Sequence, residues 1–389
     1  MRSVIILFLF VILCITEISA KPQFSNFTGN SCISCHINAQ GGSTRSLLGA
    51  YTRSTVSLVD LKSVGLHEFF RDLNDYHSFW DERIIWGVDY RLQSAKLGGP
   101  VHNEREIFGM QASPYLVFTP FEWLTFQGEY NFVEALYPGQ QSMSFSVLLK
   151  PSYDLPFLRA GYFRPSIGIM HDDHTVLIRQ VADATRANPI IPPDYAEIGA
   201  EITYNSLKFF SLTAGIHSTE SISENLILDK SGNQIPLVES GEIATNLKAV
   251  YMPRFFGNML NVQLGGSYYF ADDLNIIDAF LMLGWTDQIS FIAEIMMSNK
   301  EDLRETNNAL FEIMYNFMPS LRPYIRYEIA NTKDMSASTD LTYDADQYVF
   351  GANLYLIPYV ELRPEYRIYD RASAGGYSSQ WTLQLHLYY

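Results

Sequence analysis

Residues 84–93 read Ile-Ile-Trp-Gly-Val-Asp-Tyr-Arg-Leu-Gln, and this stretch decides the fold. Every second side chain, from Ile84 through Trp86 to Leu92, is apolar, and the side chains between them are mostly small or polar. A period of two is typical of a β-strand, whereas an amphipathic helix has a period near 3.6. A strand with one apolar and one polar face suits a wall between lipid and a wet interior. We therefore predict that this stretch is a membrane-spanning strand.

The same alternation recurs along the chain as far as residue 389. Clear examples are 123–132, 196–204, 260–270, 289–297 and 348–356. Short turns alternate with longer polar loops, which fall near 94–104, 134–141, 169–193, 219–240, 271–275, 299–306, 332–342 and 371–379. Such alternation is typical of outer-membrane barrels, in which the periplasmic turns are short and the outer loops are long.

Sixteen strands fit this pattern. They begin near 83, 106, 122, 142, 157, 194, 207, 242, 257, 275, 288, 305, 320, 344, 359 and 380. The sequence therefore predicts an all-β fold, with a 16-stranded antiparallel transmembrane β-barrel over residues 81–389. The alternative is a soluble all-β protein made of repeated hairpins, which would carry more charge on its surface.

The composition favours the membrane. Charged residues make up 18% of the chain, below the roughly 25% of an average soluble domain, and aromatic residues make up 14%. The net charge of −15 argues against a nucleic-acid partner. Outer-membrane lipid is the expected surrounding.

The N-terminus has the pattern of an export signal. A basic start, a short apolar run and a small residue at Ala20 indicate that residues 1–20 are a secretory signal peptide. A lipoprotein attached through Cys14 is the alternative. Cleavage after Ala20 leaves only two cysteines, Cys32 and Cys35.

These two cysteines belong to Cys32-Ile33-Ser34-Cys35-His36, a C-x-x-C-H motif. Two thiols at this spacing reach the two vinyl groups of one haem, and the adjacent imidazole becomes an axial ligand of the iron. A thioredoxin-like motif would need a βαβ setting, and a zinc site would need two more ligands nearby. A disulfide between the two cysteines is the remaining alternative. We predict one covalent haem c, held by Cys32, Cys35 and His36.

The flank of the motif resembles a known family. Residues 22–36 are similar to the P-x-F-x-x-x-x-G-x-x-C-x-x-C-H opening of short mono-haem domains fused to outer-membrane porins. Outer-membrane iron oxidases are the best-known members of these fused cytochrome–porins. The resemblance implies a mono-haem segment and linker or plug over residues 21–80, extracellular Fe²⁺ as electron donor and a periplasmic carrier such as a soluble cytochrome c as acceptor.

A second, looser resemblance involves residues 160–168, which look like the G-x-F-x-x-P-x-G strand of phosphate-type porins. The following residues, 169–193, combine charged and apolar side chains in a long loop. We expect this loop to fold into the lumen and narrow it.

The second axial ligand has several candidates, and the sequence leaves the choice among them open. The histidines considered are His67, His77, His171, His174 and His217, with His102 and His386 as the remaining ones. The methionines considered are Met110, Met282 and Met296. Strand parity predicts that His217 and His386 face the lumen. His171 and His174 flank two carboxylates and offer an alternative metal site.

Three functions agree with these features. The leading one is electron transfer across the outer membrane, from an external donor through one haem at the periplasmic side or inside the lumen; an Fe(II)-oxidising activity is left open. The second is a solute-conducting porin with an accessory or sensory haem. The third is an uptake channel for one nutrient. A plug formed by residues 21–80 favours the first function, and a segment hanging outside the barrel favours the second.

Overall fold

The computed structural model describes most of the chain after residue 21. The described residues are 22–38, 41, 44–46, 48–49, 56–98, 105–133, 140–152, 154–171, 173, 175–182, 188–192, 195–336, 341–371 and 378–389. The predicted signal peptide therefore lies outside the described residues.

The protein is a closed 16-stranded antiparallel β-barrel, as the sequence predicted. In chain order the barrel strands are β1 Ile84–Gly98, β2 Arg105–Phe121, β3 Leu124–Tyr130, β4 Met143–Leu149, β5 Phe157–Phe163, β6 Glu197–Tyr204, β7 Phe210–His217, β8 Ala244–Tyr251, β9 Leu260–Ala271, β10 Leu274–Trp285, β11 Ile289–Lys300, β12 Arg304–Tyr315, β13 Leu321–Asp334, β14 Leu341–Ile357, β15 Val360–Arg371 and β16 Ser378–Tyr388. Each strand pairs with the next, and β1 pairs with β16 from Asp89–Tyr388 to Gly98–Ser379, which closes the wall.

The predicted strand starts agree closely with the observed ones. The largest differences are three residues, for example 194 against 197 and 344 against 341. Two predicted long loops were wrong, because β9 connects to β10 through residues 272–273 and β11 connects to β12 through residues 301–303. Asp272 and Asp302 have positive φ angles of 53° and 58°, a conformation that aspartate tolerates and that tight turns require.

The two faces of each strand differ as the alternation predicts. On β9 the side chains of Leu264, Tyr268 and Phe270 are exposed on the outer wall, whereas Gln263 and Ser267 are buried on the inner face. The barrel has a turn end, where β1 begins and β2 connects to β3, and an opposite loop end. In barrels of this class the turn end faces the periplasm.

A few short elements complete the fold. Helix α1, Pro22–Thr28, and a 3₁₀ turn, Cys32–Ser34, precede helix α2, His67–Asp75. Two-residue strands at Ser78–Phe79 and Arg254–Phe255 extend the wall at the turn end, 3₁₀ turns occur at Leu177–Arg179 and Ile222–Glu224, and the loops contain the strand pairs Gln180–Val181 with Asn188–Pro189 and Leu226–Leu228 with Gln234–Pro236. No helix in the described residues has the length and apolar character needed to cross a membrane.

Candidate functional site

Helix α1 lies inside the barrel, against the inner faces of β9 to β12. The amide nitrogen of Asn26 donates to Ser290 Oγ at 2.9 Å, and its backbone carbonyl accepts from Asn261 Nδ2 at 2.9 Å. Gln263 Nε2 donates to Ser25 Oγ at 2.6 Å. Polar side chains of the wall therefore hold the helix by its backbone and its polar face.

The apolar face of α1 packs toward β13 and β14, the strands that follow β12 in the wall. Phe24 and Phe27 are almost fully buried, and the guanidinium of Arg322 lies 4.3 Å from the centre of the Phe24 ring. Both phenylalanines belong to a cluster with Tyr324 and Tyr355. The helix thus has a hydrophobic contact in addition to its hydrogen bonds, and it fills the lumen near the turn end.

The C-x-x-C-H motif follows as one tight helical turn. The carbonyl oxygen of Cys32 accepts from the backbone nitrogens of Cys35, at 3.1 Å, and His36, at 2.9 Å. This turn brings both cysteines and the histidine close together. Burial raises the pKa of the Cys32 thiol above its usual value of 9.0.

His36 is held by the strand-like segment that returns after the turn. His36 pairs in antiparallel fashion with Arg45, and its Nδ1 lies 3.3 Å from the carbonyl oxygen of Thr44. A histidine that donates its Nδ1 proton to a backbone carbonyl presents Nε2 to a metal, and such outer hydrogen bonds fix the ring of most metal-bound histidines. In residue type and in this outer hydrogen bond, the motif residues would suit a covalent haem.

Three further contacts fix this segment within the barrel. Thr44 Oγ1 donates to Gln127 on β3 at 3.0 Å, and Arg159 on β5 donates to Asn38 Oδ1 at 2.9 Å. Arg45 reaches Asp89 on β1, with 3.8 Å between Nη2 and Oδ2. Strands on opposite sides of the barrel therefore hold both α1 and the motif, and the described residues of 22–46 lie inside the lumen.

Asp89 also joins the segment to a buried charge network on the wall. Arg91 Nε lies 3.0 Å from one oxygen of Asp89, and His386 Nε2 lies 3.0 Å from the same oxygen. His386 Nδ1 in turn lies 3.1 Å from Glu361. A buried carboxylate is stable only when such partners surround it.

The long loop between β5 and β6 also enters the lumen, as predicted. The backbone nitrogen of Ile169 donates to Glu294 at 2.8 Å, and the amide of Asn308 donates to the carbonyl oxygens of Leu177 and Gln180 at 2.9 and 2.6 Å. Apolar loop residues pack with apolar lumen-facing residues; the shared cluster includes Ile167, Ile169, Val176, Ile178, Ile190, Phe280, Ile292, Met296 and Leu310. We call the described residues of 164–196 the inner loop.

Asp173 anchors the inner loop to the far wall. Its Oδ2 lies 3.0 Å from guanidinium nitrogens of both Arg326 and Arg363, and 3.6 Å from Arg367. Burial alone would raise the pKa of Asp173, but the three guanidiniums outweigh burial and hold the pKa well below 3.8. The carboxylate therefore stays ionised and bound to the wall.

His171, one of the candidate axial ligands, is engaged elsewhere. Its Nε2 is hydrogen-bonded to Glu294. Burial lowers the pKa of His171, but the carboxylate of Glu294 outweighs burial and raises it above 6.5. His174 and the neighbouring Asp172 lie outside the described residues, and the described residues contain no cluster of three His, Cys, Asp or Glu side chains suited to a metal ion.

The other candidates occupy three different places. His217 faces the lumen, as strand parity predicted, and bonds to Asn246 at 2.9 Å. His77 is buried at the turn end, stacked on Tyr389 with ring centres 3.9 Å apart, and His67 is exposed on α2 outside the lumen. His102 lies outside the described residues. Met110, Met282 and Met296 are buried on the inner wall.

Two relevant residues escaped the sequence analysis. Met170 lines a narrow cavity that Gly41 and Thr44, on the segment after His36, also line. Arg45 connects the motif to the wall through Asp89. Their sequence neighbourhoods carry no periodic pattern, so the strand alternation that identified other lumen residues does not apply to them.

One narrow cavity lies between the motif segment and β2 to β5. The cavity there measures about 50 Å³, room for only a few water molecules, and is lined mostly by polar side chains of the wall such as Gln111, Gln127 and Glu129.

No known family model matches this chain, and no curated protein matches it. Solved outer-membrane proteins do share its fold. OmpF of Salmonella typhi, in complex with daunomycin, has a TM-score of 0.53 and 12% identity, over 80% of this chain and 99% of that one. A loop-deletion mutant of OmpT of Vibrio cholerae gives 0.52 and 12%, over 79% and 99%. The channel DcaP of Acinetobacter baumannii gives 0.52 and 11%, over 79% and 97%.

The chain has the fold of an outer-membrane porin. The likeness to these proteins establishes the fold of the chain, and identities this low carry no argument about ligands. About a fifth of the chain has no counterpart in these structures.

Proposed function

We propose that this barrel holds one covalent haem c inside its lumen and passes electrons across the outer membrane. The observation that supports the proposal is the position of the C-x-x-C-H turn. It lies within the lumen and is tied there by Asn38, Thr44 and Arg45 to three strands of the wall. A segment that served only as a periplasmic attachment would not need a network of buried polar contacts with the wall.

The residues that would hold the haem are Cys32 and Cys35, as thioether links, and His36, as an axial ligand. When bound, the haem supplies a reversible one-electron change at its iron. The protein residues set the conditions for that change. Thr44 orients the His36 imidazole through Nδ1, and the wall excludes bulk water from the motif.

The overall reaction balances as a one-electron transfer. One Fe²⁺ at the outer face gives up one electron and becomes Fe³⁺, and one oxidised carrier in the periplasm, such as a soluble cytochrome c, takes that electron. No proton or other atom needs to move. Fe²⁺ as the donor rests on the family resemblance of residues 22–36, whereas transfer through the lumen rests on the contacts described above.

The test is to produce the full chain together with haem-attachment machinery and to reconstitute it in bilayers. We expect a c-type absorption spectrum in the reduced protein and haem staining that survives denaturation. Addition of Fe²⁺ to the oxidised protein should then reduce it. Absence of the c-type spectrum would contradict the proposed haem. A c-type spectrum without reduction by Fe²⁺ would contradict Fe²⁺ as the electron donor.

Variants separate the roles of the motif residues. Replacing Cys32 and Cys35 by serine should abolish covalent haem staining, and His36→Ala should change the axial-ligand spectrum while covalent attachment remains. The matched control is His67→Ala, because His67 is exposed on α2 and should leave the spectrum unchanged. An unchanged spectrum in His36→Ala would show that another residue binds the iron.

A second candidate function is a solute-conducting porin with an accessory haem. The fold shared with OmpF, OmpT and DcaP favours it. The two functions differ in ion current across planar bilayers. We expect the wild-type protein to give a current near that of a protein-free bilayer, because the motif segment and the inner loop occupy the lumen. A steady current typical of an open porin would favour the second function.

A further inference from the structure

The turn end carries a surface that neither the fold nor the motif explains. Residues 56–76, which we call the cap, run across this end before β1 begins. The backbone nitrogens of Leu58 and Val59 donate to the carbonyl oxygens of Tyr355 and Leu356 at 2.8 and 3.1 Å. Tyr389 donates its hydroxyl to the carbonyl oxygen of Leu73 at 2.7 Å. The cap is thus fixed to the wall and presents its other side to solvent.

The solvent side of the cap combines apolar side chains with carboxylates. Six apolar or aromatic side chains are exposed within 19 residues: Leu58, Val59, Val64, Leu66, Phe69 and Tyr76. Phe69 is 59% exposed although it lies on the same helix as the buried Phe70. Exposed apolar patches of this kind with polar rims mark interaction sites.

The polar rim of this patch is acidic. The cap contains four carboxylates, Asp60, Glu68, Asp72 and Asp75, against two cations, Lys62 and Arg71. Glu68, Asp72 and Asp75 lie on one exposed face of α2, since they are spaced three or four residues apart. Arg71 pairs with Asp72 at 2.9 Å, and the four carboxylates against two cations leave the cap with a net charge of −2. Such a surface fits a partner whose own surface is positively charged, and it is repelled by an anionic lipid surface.

A continuous set of packed groups leads from the cap to the motif. Phe70 of α2 lies 6.3 Å, between ring centres, from Tyr359, and Tyr359 lies 6.3 Å from Tyr388. The Arg45 guanidinium lies 4.9 Å from the centre of the Tyr388 ring, and Arg45 pairs through its backbone with His36. These contacts form a packed path from α2 to the motif.

We propose that the cap is the docking surface for a small, basic, soluble redox protein of the periplasm, with α2 at its centre. This inference rests on the proposed function, because it assigns the place where electrons leave the barrel. The acidic rim steers the basic partner, and Phe69 with its apolar neighbours forms the dry centre of the contact. The partner then lies directly over the packed path from Phe70 to His36.

The experiment measures binding to the haem-loaded full chain in lipid nanodiscs. The probe is a lysine-rich mitochondrial cytochrome c, and its matched control is the same cytochrome with acetylated lysines. We expect the unmodified probe to bind at about 10 mM salt, where the screening length is about 30 Å, and to dissociate at about 1 M, where it is about 3 Å. The acetylated probe should not bind.

The variant Glu68→Gln/Asp72→Asn/Asp75→Asn should weaken binding about tenfold at low salt, mainly through slower association. The matched control is Glu122→Gln/Asp154→Asn/Asp287→Asn, which removes the same charge from three exposed turns at the same end and should bind as the wild type does. Phe69→Ala should weaken binding several-fold with no change in salt dependence. Equal affinity of the wild type and the cap variant would overturn the proposal, as would equal loss in the turn variant.

The docking proposal and the proposed function can fail independently in these experiments. If the barrel carries no haem, the proposed function fails, and binding of the probe still decides whether the cap is a docking surface. If the haem is present, stopped-flow transfer from the reduced barrel to the oxidised probe should slow in the cap variant as binding weakens. Equal electron-transfer rates in the wild type and the cap variant would mean that electrons leave the barrel at another site, and would overturn the inference.

Discussion

At the scale of single residues, Gly284 shows how closely α1 fits the wall. Gly284 faces the lumen from β10, and a Cβ atom there would lie 1.9 Å from the backbone oxygen of Asn26. Neither atom belongs to a flexible side chain, so one backbone has to move. Only glycine allows the helix and the strand to approach this closely.

We expect Gly284→Ala to displace α1 and to destabilise the protein by about 1–3 kcal/mol, the usual cost of overpacking. Hydrogen–deuterium exchange of residues 23–28 should rise strongly. The matched control is Gly128→Ala on β3, where the nearest atoms to a Cβ lie at an ordinary 3.5 Å, so that exchange should stay unchanged. Equal protection of α1 in both variants would contradict the close fit.

His77 makes the turn end sensitive to pH. Burial, with a smaller contribution from Arg45, lowers the pKa of His77 from 6.5 to about 4. Between these two pH values the unfolded chain binds a proton that the folded chain does not, so stability falls as the pH falls through this window. The His77 ring is stacked on Tyr389, and His77 Nε2 lies 3.2 Å from the Tyr359 hydroxyl. Protonation of His77 therefore strains the site beside the cap.

We therefore expect the amides of α2 to exchange faster near pH 5 than near pH 7, after correction for the intrinsic exchange rate. In His77→Gln, which has no titrating group, this additional acceleration should be absent. The same pH response in both proteins would assign the effect to another group.

At the scale of elements, the inner loop depends on Asp173. The three guanidiniums hold the pKa of Asp173 well below 3.8, so its stabilising effect is fully present above pH 3.8 and is lost only as the pH falls through the lower, folded-state pKa. Loss of a buried partner from such a cluster costs about 3–5 kcal/mol.

Asp173→Asn should therefore release the inner loop at neutral pH. We expect faster exchange of residues 177–182, which bond to Asn308 and Thr332, and a rise in ion current across bilayers. Wild-type protein should keep its protection down to about pH 4. The control is Asp229→Asn, a substitution in an exposed outer loop, which should behave as the wild type. Retained protection in Asp173→Asn would show that apolar packing alone holds the loop.

At the scale of the whole molecule, the barrel and its contents are separable. Backbone pairing runs without a gap from β1 round to β16, whereas the motif segment is held mainly by side chains of the wall. A chain that lacks residues 22–49 should therefore still insert as a heat-modifiable barrel on SDS gels. Its ion current should exceed that of the full chain, because the deletion removes α1 and the motif from the lumen. A deletion that prevents insertion would show that the segment is part of the folding core.

The sequence alone predicted the barrel almost completely. Strand alternation depends on one physical requirement, that one face of each strand meets lipid and the other meets the lumen, and this requirement repeats at every second residue. It is local, so the pattern located 16 strands to within three residues and oriented His217 and His386 correctly. The C-x-x-C-H motif is equally local, because its chemistry needs only five consecutive residues.

Only the tertiary structure decided what fills the barrel. The contacts of Asn26 with β9 and β11, of Arg45 with Asp89 and of Asp173 with Arg326 join residues 44 to 264 positions apart in the sequence. No periodicity links such partners, since each contact depends on the register and curvature of the closed wall. The sequence therefore determined the wall and the motif, whereas the folded chain decided that the motif lies within the lumen and that the cap faces outward from the turn end.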